Sequence, residues 1–530
     1  MMSIMILLSS LASLYFFRKR MLRYLRYFQQ EQYLSGSYLK WYFSHFAFDK
    51  RFTALVAFSF FSHNLLILFL GTLFLSYCEE DPTKVGKIKL NLTQRARRLW
   101  KMSFFLLVVF LLPFSVLSAY DFKWFFLALF MAVQLLPLLF VVANFLLAPE
   151  EKRQQNRFFR QAAKKYREVA PFTVGITGSF GKTSTKHILG EMMNVCVGPT
   201  FWPEKGVNAL MGVTRLIREK LNPLYTHAVI EMGAYRMGSI AKMISLTPVN
   251  AGIITAVKPI HLDRFGSLEN VYRAKSELAR ALPEGGILVL NGDQEGPRRM
   301  KDEDFAKKLR VFLYGLESEK GDLFVAAKNL LITEKGTTFE LLIKETSYAC
   351  FIPLWGKAAV SNALAVVAML VALEVSKEKI IAALANLDPI DNRLRVQKID
   401  EATTYIHDAY NSNPEGFETA LEVLAAVPGK RKILMTPGMI ELGEFQGKEN
   451  TRLASFAKEK ADLTIFVGEV NRKFFEDGFK VNKEAKGTIA FVKDRSAAFA
   501  YFYAHKEEGD VLLMENDLPD LYEKNLAWSF

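Results

Sequence analysis

Cysteine is scarce. Only Cys78, Cys196 and Cys350 occur in 530 residues, far apart in the chain. That spacing excludes a disulfide framework and a cysteine-based zinc site, and a reducing cytosol suits the C-terminal part. Acidic residues are scarce at one end only. Residues 1–170 hold 9 Asp+Glu against 23 Lys+Arg, whereas residues 171–530 hold 46 against 45. The net charge of +13 therefore sits in the N-terminal part. This distribution argues against nucleic acid as a partner and points to anionic membrane lipid and to membrane topology. No internal repeat is present. No small-residue cleavage site follows the first apolar run, and its charges come after the run, so it reads as an anchor and not as a signal peptide.

Apolar residues are abundant: hydrophobic content is 51% and phenylalanine alone supplies 44 residues. Apolar runs lie at 2–17, 52–78, 102–120 and 124–148. The last two are each long enough to cross a hydrocarbon core of about 30 Å, and only Asp121, Phe122 and Lys123 separate them. They predict a membrane hairpin. Basic clusters flank it at 95–101 and 152–160, which puts both flanks in the cytoplasm. The cluster Arg18, Lys19, Arg20, Arg23 and Arg26 prefers the cytoplasm too. Four complete spans would put it on the other side, so run 1 or run 2 falls short of a full span or the charge rule is broken once. The competing reading of the region is a buried soluble helical domain. The length predicts two or three domains. The expected division is a membrane-anchoring region at 1–150, a basic cytoplasmic linker at 151–170, a central nucleotide-binding domain at 171–391 and a C-terminal domain at 392–530.

A phosphate-binding loop follows at once. "FTVGIT" has the β-branched, apolar character of a buried strand, and "KTSTKHILGEMMN" reads as a helix. Between them, "GSFG" puts backbone N–H groups and a helix dipole where an anion would sit. Lys182 supplies a point charge and Thr183 a hydroxyl for Mg²⁺. The strict phosphate-loop spacing is not met, because Ile176 stands at the first glycine position and Gly178 lies inside the turn. A Gly-rich turn that binds nothing is the bland alternative.

From residue 171 strands and helices alternate, which predicts a parallel sheet with crossover helices. Residues 323–353 read as β-hairpins with a turn at "EKGT". A second α/β run begins near Arg393, after a break at "DPIDNR". The motifs "GITGSFGKTSTK", "EMGAYRMGSIAKM", "HLDRFGSLENVYRAKSEL", "LVLNGD", "SNALA", "DAYNSNPEGFETALEVL" and "MIELG" occur in order. In this the chain resembles the Mur ligase family, and within it the MurF type, over roughly residues 171–510. The resemblance implies a phosphate-loop central domain, a Rossmann-like C-terminal domain and an ATP-dependent carboxylate–amine ligase that uses two Mg²⁺ ions.

The resemblance also implies residue roles. The nucleotide would be held by Gly178, Ser179, Gly181, Lys182, Thr183, Ser184 and Asn362, with Arg393 and Asp408 closing over it. Glu231 ends the strand "HAVIE", and a carboxylate at the C-terminal edge of a parallel strand faces the ligand crevice. In the family this glutamate serves Mg²⁺; otherwise it is a helix cap or a surface charge. His261 matches a second-metal histidine. Lys275 matches a lysine that the family carbamylates; the alternative is an ion pair with Glu277 or Glu231. Asn208, Tyr410 and Asn411 match residues beside the substrate.

Four departures qualify the resemblance. Only about 20 residues lie between the last apolar run and the loop strand, which leaves no room there for the family's UDP-binding domain. Ala358 and Ala359 stand where the family has His-Asn. "ENDLPD", beginning at Glu515, replaces a Lys-Gly-Ser-like signature, so a cation that would meet a substrate carboxylate is lost. Phe180 occupies a loop position where small residues are commoner. The leading expectation is a membrane-anchored ligase of cell-wall precursor assembly, with its ligase domains on the cytoplasmic face of the plasma membrane. It would act on a UDP-linked or a lipid-linked cell-wall precursor, with membrane lipid and membrane proteins as the expected partners. The alternatives are a ligase for another membrane-linked carboxylate, and a scaffold or transporter with a regulatory nucleotide site.

Overall fold

The computed structural model describes residues 2–31, 33–45, 47–84, 89–204, 206–234, 236–259, 265–316, 322–333, 335–388, 394–400, 403–408, 414–440, 442–481 and 483–516. The chain divides into two compact units, one through Gln155 and the other from Asn156.

The first unit is helical: α1 (Met2–Gln30), α2 (Ser35–His45), α3 (Lys50–Phe61), α4 (Leu65–Cys78), α5 (Gln94–Leu117) and α6 (Lys123–Val169). Apolar run 2 is not one segment. It breaks at Ser62–Asn64, where His63 takes φ 50° and the Asn64 side chain caps α4 by accepting from the N–H groups of Leu66 and Ile67. A capping asparagine after a left-handed residue starts a new helix instead of continuing the old one. Charges are buried inside the unit. Arg20 Nη1 lies 2.8 Å from Glu79 Oε1 and Arg20 Nε lies 3.4 Å from Asp49 Oδ2. Arg51 reaches both carboxylates at 3.2 Å. Two helices, α5 and α6, are long and apolar enough to cross a membrane by length and composition. Residues 151–169 continue α6 as helix.

The second unit opens with a nine-stranded sheet. Its strands are β1 (Phe172–Thr177), β2 (Thr200–Phe201), β3 (His227–Glu231), β4 (Ala251–Ile254), β5 (Ile287–Asn291), β6 (Arg310–Gly315), β7 (Val325–Thr333), β8 (Gly336–Ile343) and β9 (Thr346–Ile352). The order is β2-β3-β1-β4-β5-β6-β7-β8-β9. β1 to β6 are parallel, as alternating strands and helices require. The expected hairpin region joins the main sheet: β7 pairs in parallel with β6, and β8 and β9 extend the same sheet antiparallel.

Helices cover both faces of this sheet. One face carries α7 (Lys182–Cys196) and the helix Gly356–Ala372, and the other carries Leu210–Lys220, Ser239–Leu246 and Leu268–Arg280. Gly356–Ala372 is apolar all round. Its residues Ala363 to Leu370 are fully buried, so it is a core helix and not a short membrane segment. Each buried Leu or Val there contributes about 1.5–3 kcal/mol. The C-terminal sheet comprises β10 (Arg395–Asp400), β11 (Thr403–Asp408), β12 (Arg431–Thr436), β13 (Leu463–Val467), β14 (Thr488–Val492) and β15 (Asp510–Glu515). Its order is β10-β11-β15-β12-β13-β14, parallel except for the edge strand β10.

Candidate nucleotide and ligase site

Strand β1 is buried along most of its length and releases the chain into the loop Gly178–Gly181 at its C-terminal edge. Small residues are needed here. Gly178 takes φ 156° and Gly181 φ 78°. A β-carbon would collide with Thr255 Oγ1 at the first and with Asn362 Oδ1 at the second. The loop is tied down behind. Ser179 Oγ donates to the Lys258 carbonyl at 3.1 Å and accepts from its N–H at 2.8 Å. The Thr255 hydroxyl donates to the Phe180 carbonyl. Phe180 thus contributes its backbone to the anchoring, and its ring lines the cleft.

Gly181 is the cap of α7, which aims the helix's free N–H groups at the loop. Lys182 Nζ lies over the loop, 2.7 Å from the Gly178 carbonyl and 3.2 Å from that of Ser179. Thr183 Oγ1 donates to Glu231 Oε1 at 3.1 Å, and Asn208 Nδ2 donates to the same oxygen at 2.9 Å. Glu231, fully buried at the end of β3, is therefore neither a helix cap nor a surface charge. Asn208, read from sequence as a substrate residue, orients this carboxylate.

Sequence reasoning missed Lys186. Its ammonium lies 3.3 Å from Glu231 Oε2, both side chains fully buried. Its place one helical turn after Lys182, on the same face, is visible in the sequence, but its partner Glu231 is not. Lys275 is also buried, at 1% exposure. Burial pulls its amine well below the ordinary lysine range, and the Lys182 charge pushes the same way. Glu277 instead accepts from the N–H groups of Gly238 and Ala241. The expected alternative, an ion pair of Lys275 with Glu277 or Glu231, does not occur among the described residues.

A cleft of ≈ 390 Å³ opens from the loop. Gly181, Ser184 and Asn362 line it from the central domain, and Asp408, Glu415 and Glu515 from the C-terminal domain. Asn362 is held by Thr185, whose hydroxyl donates to Oδ1 at 3.2 Å. Asp408 ends β11 in register with Glu515 at the end of β15. Lys258 and Glu415 bridge the two sides at 3.2 Å. Tyr314 is another cleft residue the sequence did not reveal; burial pushes its hydroxyl far above the usual phenol range, so it stays a donor. His261, Arg393, Tyr410 and Asn411 lie outside the described residues.

Mg²⁺ fits the donor set. Thr183 Oγ1 and Glu231 are hard oxygen donors beside the loop, and Glu231 Oε2 is buried with the Lys186 ammonium 3.3 Å away. Mg²⁺ characteristically takes one or two such protein oxygens and completes its shell with phosphate and water. No cluster of three or more His, Cys, Asp or Glu that could hold a metal alone occurs among the described residues.

Comparison with known proteins identifies the family. The Mur ligase middle domain matches residues 176–370, and the Mur ligase glutamate ligase domain matches residues 392–515. The UDP-N-acetylmuramoyl-tripeptide–D-alanyl-D-alanine ligase of Escherichia coli (strain K12) is 34% identical over 313 residues, 59% of this chain and 68% of that protein. Its namesake from Bacillus subtilis (strain 168) is 27% identical over 381 residues, 69% of this chain and 80% of that one. Among solved structures, the MurF ligase of Thermotoga maritima in complex with ADP superposes with a TM-score of 0.59 at 22% identity, covering 71% of this chain and 85% of its own. MurF from Acinetobacter baumannii gives 0.60 at 24%, covering 70% and 79%. The chain belongs to the Mur ligase family and is an ATP-dependent ligase of the MurF kind.

Proposed function

We propose that the protein is a membrane-anchored ligase of peptidoglycan precursor synthesis that joins D-alanyl-D-alanine to the carboxylate of a muramoyl peptide. The observation that carries the chemistry is the joining of Lys182, Thr183 and Glu231 at one glycine loop, whose neighbours Gly181 and Ser184 line the cleft. The substrate carboxylate attacks the terminal phosphorus of ATP, ADP leaves, and an acyl phosphate forms. The amine then attacks the acyl carbon, inorganic phosphate departs, the amine loses a proton, and an amide remains. Both partners of the first step are anionic. Lys182 and the N-terminus of α7 supply fixed positive potential where they meet, which costs no reorganisation at the moment of reaction. Mg²⁺, when bound, neutralises phosphate oxygens; Thr183 and Glu231 would hold it, and Asn208 and Lys186 keep that carboxylate in place. Asn362 and Asp408 face the nucleotide from opposite walls. The test is ADP release: it should require UDP-linked or lipid-linked muramoyl tripeptide and D-alanyl-D-alanine together. Turnover with either alone at the full rate would refute the ligase assignment.

Lys275 is proposed to carry a carbamate. A buried amine held neutral is nucleophilic; it adds to CO₂, loses a proton, and becomes a carboxylate-like group facing the positive charge of Lys182. Lys275→Ala should lose most activity and recover part of it with added acetate or formate. Full activity without any added acid would remove the carbamate from the mechanism.

The anchor rests on α5 and α6 and on the basic charge of residues 1–170. An acceptor held at the same membrane gains effective concentration without any new contact. A second reading, a ligase for another envelope carboxylate or amine, draws support from Glu515, a buried acid in the cleft wall where the family resemblance expects a lysine. The same ADP-release assay with other amines separates the two.

A further inference from the structure

Within the helical unit, side-chain contacts fix which helix ends share a level. α1 and α4 run in the same direction side by side: Ser9 Oγ donates to the Leu65 carbonyl at 3.4 Å, Lys19 Nζ to that of Ser76 at 2.5 Å, and Arg20 pairs with Glu79. Asp49 caps the start of α3 and Glu79 closes the end of α4, yet both carboxylates meet the same Arg20. Segment 49–79 therefore leaves the Arg20 level and returns to it. Its turn, Ser62–Asn64, shares a level with the turn between α5 and α6: the His63 and Phe122 rings lie 6.4 Å apart and those of Phe60 and Phe126 5.6 Å apart.

The two ends differ in charge. The turn level carries Asp121 and Lys123, which cancel, whereas the arginines of 18–26, Lys50, Arg51 and the clusters 95–101 and 152–153 all lie toward the other end. Between the levels, apolar side chains such as Leu7, Leu11, Leu70, Phe74, Leu112 and Phe130 face outward, each more than 40% exposed. Hydrocarbon suits such a belt and water does not.

We propose that this unit is seated in a lipid bilayer as five passes, with α3 and α4 forming a complete in-and-out hairpin. The chain's amino terminus then lies on the face opposite the basic band, and the basic band meets anionic head groups. This rests on the anchoring reading and adds the number and direction of passes. A fifth pass brings cluster 18–26 to the same face as 95–101 and 152–160, so the charge rule holds throughout. At 12 and 14 residues, α3 and α4 are about 18 and 21 Å long. Local thinning of the bilayer accommodates such short passes, and the Ser62–Asn64 turn reaches the far face because the longer α5 and α6 carry Asp121 there.

The experiment uses full-length protein with Cys78, Cys196 and Cys350 replaced by serine or alanine. Single cysteines are introduced by Ser62→Cys, Ala119→Cys and Asn156→Cys, all at exposed positions, and retained ATP turnover confirms folding. Intact spheroplasts receive a membrane-impermeant maleimide. The Ser62→Cys and Ala119→Cys proteins should label to the same extent without lysis, and the Asn156→Cys protein only after lysis. If the Ser62→Cys protein stays unlabelled, or labels only on lysis, the hairpin is overturned even where the protein is membrane-integral. If alkaline carbonate washes the protein off membranes, the anchoring reading fails with it, and that result is independent of the labelling pattern.

Discussion

Lys182→Ala should lower kcat/KM for ATP by about 10³-fold, a loss of roughly 4 kcal/mol of transition-state stabilisation. The ammonium sits over the phosphate loop and donates to two backbone carbonyls there. Its removal takes away charge at the point where two anions must approach, and little packing. Unfolding free energy should therefore change by less than about 1 kcal/mol. ADP release and a denaturant titration on the same preparation measure both quantities. A variant with wild-type kcat/KM would end the phosphate-loop assignment. A variant that merely unfolds would show that the lysine holds the loop together.

Lys186→Met should have a larger effect on the fold. It leaves the Glu231 carboxylate fully buried with the neutral donors Thr183 and Asn208 but without its cation. Breaking a buried pair by removing one partner costs about 3–5 kcal/mol, whereas replacing both by apolar groups is often neutral. The double variant Lys186→Met/Glu231→Leu should thus regain most of the lost stability. It should have no ligase activity, because the carboxylate proposed for Mg²⁺ is gone. Thermal melting and ADP release over the set of two single variants and one double variant give the coupling directly. Equal stability of Lys186→Met and wild type would mean that the pair contributes nothing to the fold.

These residues mark where the sequence was legible. Strand β1, the loop and α7 are local: a β-branched run, glycines at two positive-φ positions and a helical run follow one another within about 25 residues, so pattern suffices. Glu231 could be read because it ends a strand and the end of a parallel strand has a known orientation. Lys186 could not. Its role depends on β3 lying next to β1, a pairing between residues far apart in the chain. The partner of Asn208 was hidden in the same way, since proximity in a motif does not say which atom an amide will meet. The course of run 2 stayed open because hydropathy averages over the short polar stretch Ser62–Asn64, where a left-handed residue and a capping side chain end one helix and start the next. The hairpins of 323–353 were correctly seen as β-rich, yet their continuity with the main sheet rests on two residue pairs between β6 and β7, too few to leave a signature.

The margins of the nine-stranded sheet bear on how the chain is made. One margin is β2, two residues long, which offers almost no template to a passing strand. The other is β9, seven residues that include Tyr348 and Phe351. Its neighbour β8 is already synthesised when β9 leaves the ribosome. The helix Lys377–Ala385, which packs against β9, begins about 25 residues later. At bacterial and eukaryotic elongation speeds that interval is roughly one to five seconds. During it a long, partly apolar margin stands uncovered on every nascent chain of a polysome. Slowed translation across 353–385 would lengthen that interval, and faster translation would shorten it. Soluble yield should therefore respond to synonymous codon choice in this stretch more than in the segments that encode β1 or β12.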